Sequence, residues 1–270
     1  MDIGSLYDSR MKIIAAPCLA ILMVGCGSLE SASRLDSFSQ DLLPQTKTLR
    51  VINSNGDIVI SGLTAHNDMH VDIDYFAHAE SLEEAQKAIS LLDITSSYAD
   101  GGMVILKVTG PDIHCGANLA LQVPEGFNLD IRAGNGDVHV VPVMKTVTVR
   151  TVDGDVILNS HSKVRVKTTN GDIVLDGNSA DFNLRSVNGD INLAQSALFT
   201  GSGSLTTING SLRINNSATI DAKIIGATRN GNYMIYGPSL FEDQGTGLIR
   251  LNTTNGDINI THNEMPAEVE

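Results

Sequence analysis

The chain has 270 residues, of which 18 are basic and 31 acidic, for a formal net charge of −13. So large an acidic excess argues against nucleic acid as a partner, because phosphate backbones are gripped by clustered Lys and Arg. Aromatic residues make up 4% and Trp is absent, so the bulk of a core must come from Val, Ile and Leu, as in a thin β-layered interior.

Residues 11–28 read MKIIAAPCLAILMVGCGS, with Lys12 as a short basic region ahead of an apolar run. The run is too short to cross a bilayer as a mature helix and has the proportions of a signal peptide. It ends in Leu22-Met23-Val24-Gly25-Cys26, which resembles the lipobox of bacterial lipoproteins. The resemblance implies that residues 1–25 are removed and that Cys26 is lipidated, tying the protein to a membrane. An ordinary secretory signal with an incidental Cys is the plain alternative. Gly27, rather than Asp, follows the cysteine, which by resemblance to Gram-negative sorting rules implies the outer membrane, on either its periplasmic or its surface face. Met11 is a second candidate start, since Asp2 and Asp8 sit oddly before a basic region. Removing 1–25 deletes Asp2, Asp8, Arg10 and Lys12, two charges of each sign, so the mature charge stays at −13.

Residues 26–46 are Ser-rich with scattered charge, and read as a flexible tether. Residues 47–127 form a β-rich N-terminal portion that opens on one repeat-like unit, VINSNGDIVI. Within it a helix is expected over 81–92. Ser81 and Glu84 make a capping box, and Leu82, Ala85, Ile89 and Leu92 share a face. Cys115 is the one cysteine outside the signal and lipidation sites. Burial as a small hydrophobe is expected of it, with pairing to another chain or metal binding beside His114 as the alternatives.

Residues 128–262 repeat one unit. VTVRTVDGDVIL (147–158), VRVKTTNGDIVL (164–175) and FNLRSVNGDINL (182–193) each run alternating strand, acidic-glycine corner, alternating strand. The corner glycines are Gly136, Gly154, Gly171, Gly189, Gly210, Gly231 and Gly256, spaced 18, 17, 18, 21, 21 and 25 apart, with Gly56 an outlying copy. A period near 20 marks a repeat architecture, and period-2 alternation marks strands. Asn-Gly between such strands fits an antiparallel β-meander. It fits equally the corner of a right-handed parallel β-solenoid, whose coils place like residues on like. The solenoid is preferred because a meander gives no reason for one residue set to recur at every corner. Residues 263–270 are a polar tail.

The succession of lipobox, strand–NGD–strand, short helix, VPEGF turn (123–127) and tandem NGD strands resembles the bacterial putative-adhesin family of β-strand-repeat domains of unknown function. The likeness covers about residues 47–262 and implies a β-solenoid and a binding or structural role. Asn209-Gly210-Ser211 and Asn230-Gly231-Asn232 depart from the NGD pattern.

Two columns could carry function. Asp137, Asp155, Asp172 and Asp190, with Asp57 and Asp257, would line the corner edge, either to bind cations or to cap the turns through backbone N–H groups. Arg132, Arg150, Lys167 and Arg185, four residues before the corner, would face outward as a ladder for an anionic glycan or lipid headgroup, with Arg165 and Arg250 two positions further back. The bland reading of this ladder is solubility. Outward positions after the corner are apolar early on, at Val59, Ile157 and Val174, so the helix is expected to cover Ile157 and Val174. No nucleophile elbow, HExxH or P-loop occurs, and the seven histidines form no helical pair. No cofactor or metal is expected. The reading is a non-enzymatic, lipid-anchored envelope binding module with protein partners unspecified. Its alternatives are an envelope scaffold without soluble ligand and a polysaccharide-active β-helix enzyme.

Overall fold

The computed structural model describes residues 29–64, 67–111, 114–124, 126–141, 144–159, 163–177, 179–195, 199–216, 220–236 and 246–262. Cys26, the segment before it, Glu125 of the VPEGF turn and the tail from 263 lie outside the described residues.

The N-terminal part contains β1 (Glu30–Asp41), β2 (Thr48–Asn55), β3 (Ile58–Thr64), β4 (Asp68–Ala79), α1 (Leu82–Ser90), β5 (Asp93–Ala99), β6 (Met103–Thr109) and β7 (Cys115–Pro124). In the repeats, each corner separates two short strands. These are β8 (Asn128–Asn135) and β9 (Val138–Val140), β10 (Thr146–Arg150) and β11 (Val156–Asn159), then β12 (Lys163–Lys167) and β13 (Ile173–Asp176). They continue as β14 (Asp181–Arg185) and β15 (Ile191–Gln195), then β16 (Ser202–Thr206) and β17 (Leu212–Asn216). The last are β18 (Ala222–Asn230) and β19 (Tyr233–Tyr236), and β20 (Gly247–Asn255) and β21 (Ile258–His262).

Among the described residues two sheets result. Sheet A has eleven strands in the order β1-β4-β7-β3-β9-β11-β13-β15-β17-β21-β19. Sheet B has ten, β18-β20-β16-β14-β12-β10-β8-β2-β6-β5. All pairings between repeat strands are parallel and in register: Val149 stands between Ile131 and Val166, and Leu158 between Val140 and Leu175. The fold is therefore a flattened parallel solenoid and not a meander. Inward Val, Ile, Leu and Phe from both sheets form one buried core.

Stack order departs from chain order at both ends. The outlying copy β2/β3 lies between coil β6/β7 and coil β8/β9, and the last coil in the chain, β20/β21, lies between β16/β17 and β18/β19. The irregular corners explain the second insertion. Ser211 lacks a carboxylate, yet its Oγ accepts from Asp257 N (3.3 Å), and Asp257 Oδ1 in turn accepts from Asn232 N (2.8 Å). Asn232 belongs to the outermost coil, beyond which no coil needs an acceptor.

Two expectations are corrected. Residues 30–41 are not a tether: all twelve residues of β1 pair antiparallel with β4, from Glu30 opposite Ala79 to Asp41 opposite Asp68. The alternation escapes notice because the inward positions of β1 include Arg34 and Asp36 beside Ala32 and Phe38. Arg34 lies over the Tyr75 ring, 4.1 Å from its centroid, and donates to the Leu92 carbonyl at 3.3 Å. The helix also lies elsewhere than expected. Ser81 Oγ caps it by accepting from Glu84 N, and Ala85, Ile89 and Leu92 are buried, but it packs against β1 and β4. Sheet A runs three strands past β3 and sheet B only two past β2, so β1 lacks a facing strand. α1 fills that gap and closes the N-terminal end of the core, leaving Ile157 on the open face with 40% of its surface exposed.

Candidate functional site: corner ladders and a basic face

Parallel stacking converts each repeated residue into a column. At the corner, glycines meet backbone to backbone. Gly154 has φ +147°, and a Cβ there would stand 2.1 Å from the Gly136 carbonyl oxygen, so no other residue fits. Beside them runs an asparagine ladder, a feature sequence reasoning missed. Asn188 Nδ2 donates to Asn170 Oδ1, Asn209 Nδ2 to Asn188 Oδ1, and Asn255 Nδ2 to Asn209 Oδ1, each at 2.7 Å. Inside the turn, Ser186, Thr207, Thr228 and Thr253 hydroxyls donate to glycine carbonyls of the adjacent coil at 2.9–3.0 Å.

The aspartate column caps the corners across coils. Asp137 Oδ1 accepts from Asp155 N (2.8 Å), Asp155 Oδ1 from Asp172 N (2.8 Å), Asp172 Oδ1 from Asp190 N (2.7 Å), and Asp190 Oδ1 from Ser211 N (2.7 Å). Each bond is charge-assisted and offsets the repulsion of stacked carboxylates. Arg213 adds a bond of 2.6 Å to Asp190 Oδ2. Among the described residues no three His, Cys, Asp or Glu side chains are placed to hold a metal ion. The carboxylates thus accept backbone N–H groups of the next coil, as a capping role requires.

Arg132, Arg150, Lys167 and Arg185 stand on neighbouring strands of sheet B in one row, each directly opposite the next. The geometry divides them. Asp130, only 15% exposed at its side chain, takes Arg50 Nε at 2.7 Å, Arg150 Nη1 at 3.3 Å and Arg132 Nη2 at 3.4 Å. Asp130 occupies the position that holds Thr148 and Arg165 in the next two coils, so its sign was readable but its reach was not. Arg165, Lys167 and Arg185 have no ion-pair partner among the described residues. With Arg150, Thr148 and Asn183 they line a shallow groove of about 270 Å³ on the outer face.

A larger groove of about 520 Å³ lies on the outer face of sheet A, between Leu35, Val59 and Ala120, and its rim carries Asp57, Asp72 and Asp74. That rim repels anions. Cys115 is buried, and its Sγ–H donates to the Pro111 carbonyl at 2.7 Å, as expected of a small hydrophobe. No helix among the described residues is long and apolar enough to cross a membrane.

A family model described as Toastrack DUF4097 matches residues 43–261, most of the chain. The chain belongs to this Toastrack family. Solved structures similar to this Toastrack chain include a "putative cell adhesion protein" from Clostridium sporogenes, at 14% identity and a TM-score of 0.41, covering 85% of this chain and 100% of that one. A "putative adhesin" from Bacteroides fragilis has 12% identity and a TM-score of 0.41, covering 85% and 97%. A "putative lipid binding protein" from Parabacteroides distasonis has 11% identity and a TM-score of 0.37, again covering 85% and 97%. No curated protein matches the chain. The Toastrack coil is the unit that repeats here, and the family resemblance read from the NGD motif holds.

Proposed function

We propose that this Toastrack protein is a non-enzymatic envelope protein, anchored by lipid on Cys26 in the outer membrane, that binds an anionic glycan or lipid headgroup on the outer face of sheet B. One observation carries the binding reading: Arg165, Lys167 and Arg185 converge on one groove without carboxylate partners, on a chain whose net charge is −13. Lys167 and Arg185 stand one strand spacing apart, about 4.8 Å, with Arg165 two residues before Lys167 on the same strand, a charge density that scattered surface residues do not present. Such a row suits a polymer or lipid array with regularly spaced carboxylate, sulfate or phosphate groups.

The anchor reading takes a new form, because the strand starting at Glu30 replaces the tether. Four residue steps from Cys26 to Glu30 span at most about 14 Å when fully extended. A lipid on Cys26 would therefore hold the body close to the bilayer.

The test is titration of the soluble body with an acidic polysaccharide and, separately, with vesicles containing anionic lipid. Arg165→Ala, Lys167→Ala and Arg185→Ala together should abolish binding in the arm that binds the unmutated protein. Asp72→Ala with Asp74→Ala on sheet A should leave it intact. Absence of binding in both arms would return the basic row to solubility and favour a scaffold without soluble ligand.

A further inference from the structure

Seven Asn-Gly pairs occur in the chain, beginning at Asn55, Asn135, Asn170, Asn188, Asn209, Asn230 and Asn255. In such a pair the glycine nitrogen can attack the asparagine side-chain carbonyl carbon, since glycine brings no side chain to obstruct it. The reaction needs a glycine N–H free of an acceptor and a side-chain amide free to turn.

The stack withholds the glycine N–H in six of the seven. Gly56 N donates to Asn135 O and Gly136 N to Asp153 O, both at 2.9 Å. Gly171, Gly189 and Gly210 N donate to Asn188, Asn209 and Asn255 O at 3.0 Å, and Gly256 N donates to Asn230 O at 3.1 Å. Gly231 belongs to the outermost coil, β18/β19, and its N–H has no acceptor among the described residues. The side chains divide less sharply, since Asn135, like Asn230, donates to one neighbour and accepts from no described side chain. Asn188 is held from both sides, donating to Asn170 and accepting from Asn209. Asn230 donates to Asn255 Oδ1 at 2.8 Å, and no described side chain donates to its own Oδ1. Asn230 and Gly231 are both exposed.

We propose that Asn230 is a site of spontaneous deamidation in the folded protein, and that the ladder protects the other six pairs. Gly231 N, losing its proton, bonds to Asn230 Cγ. The bond from Cγ to Nδ2 breaks and ammonia leaves, closing a cyclic imide. Water then adds to either imide carbonyl and opens the ring to aspartate or isoaspartate, with no change of oxidation state. Either product loses the Nδ2 donor to Asn255. The isoaspartate also lengthens the backbone where Asn230 pairs with Asn255, so the terminal coil loosens while the inner coils keep their register.

The experiment incubates the folded protein and the urea-unfolded chain in parallel at mildly alkaline pH, with peptide mapping by mass spectrometry over time. In urea all seven pairs should convert at similar rates. In the folded protein Asn230 should stay within about threefold of its unfolded rate while the other six slow at least about tenfold, an opening free energy of about 1.4 kcal/mol. Asn230→Gln should remove the folded-state conversion at that position and leave the six protected. Equal folded-state rates at Asn230 and at Asn209 or Asn255 would overturn the proposal. So would a preference for Asn230 that persists in urea, which would assign it to local sequence.

Discussion

Replacing Asp172 separates capping from cation binding, because the two readings demand different things of the same oxygen. Asp172 Oδ1 accepts from Asp190 N at 2.7 Å. Asp172→Asn keeps that acceptor without its charge; Asp172→Ala removes both. A bond to a charged group contributes about 1.5–3 kcal/mol and a neutral one about 0.5–1.5. Against this, each neighbouring carboxylate about 4.8 Å away repels by about 0.9 kcal/mol in water-like dielectric. Salt near physiological strength reduces that by roughly half, so two neighbours contribute about 1 kcal/mol of strain. Asp172→Asn should therefore be close to neutral, and Asp172→Ala should destabilise by about 1–2 kcal/mol. Urea unfolding followed by circular dichroism measures both, with and without millimolar calcium. If the Asn variant falls as far as the Ala variant, and calcium raises the midpoint of the unmutated protein alone, the column is a cation site and the capping account is wrong.

Further consequences can be checked independently. Phe38→Ala should cost about 3 kcal/mol, since Phe38 is 6% exposed within β1; residues 30–41 acting as a loose tether would show no change. Burial pushes the Tyr75 hydroxyl above the ordinary tyrosine value near 10, with Arg34 opposing, and burial raises Tyr233 as well. A raised folded value means this contribution is fully present below about pH 10 and is lost as pH climbs higher. Stability should therefore fall with rising pH in that range, and less steeply in Tyr75→Phe if the buried ring is the cause. Cys26→Ser should release the protein from membranes, and persistence in the membrane fraction after a high-salt wash would refute lipid anchoring.

The repeat region was legible because one residue set serves one geometry. Val147, Val164 and Phe182 occupy the same inward position, and the recurrence of one residue set at every corner favoured parallel coils over a meander. The ends were harder to read. β1 hides its alternation behind Arg34 and Asp36, charged residues that face inward because Arg34 finds an aromatic ring and helix carbonyls there. The place of α1 depends on sheet A outrunning sheet B, a length difference that no local pattern encodes. Stack order at the C-terminal end also escaped the sequence, because Ser211 can replace an aspartate as acceptor. In the basic row the alignment of the four residues was legible and their division was not. Asp130 is close in sequence to Arg132 alone, and only stacking brings it to Arg50 and Arg150.

The salt dependence of anion binding bears most directly on the proposed role. With the dissociation constant for an acidic polysaccharide measured across ionic strength, affinity should fall steeply as salt rises. In Lys167→Ala, which keeps Arg165 and Arg185 and so binds measurably, the slope of log affinity against log salt should flatten by about one, for the one cation removed. Binding that ignores salt, or a slope unchanged in that variant, would contradict the account and place the interaction elsewhere on the molecule.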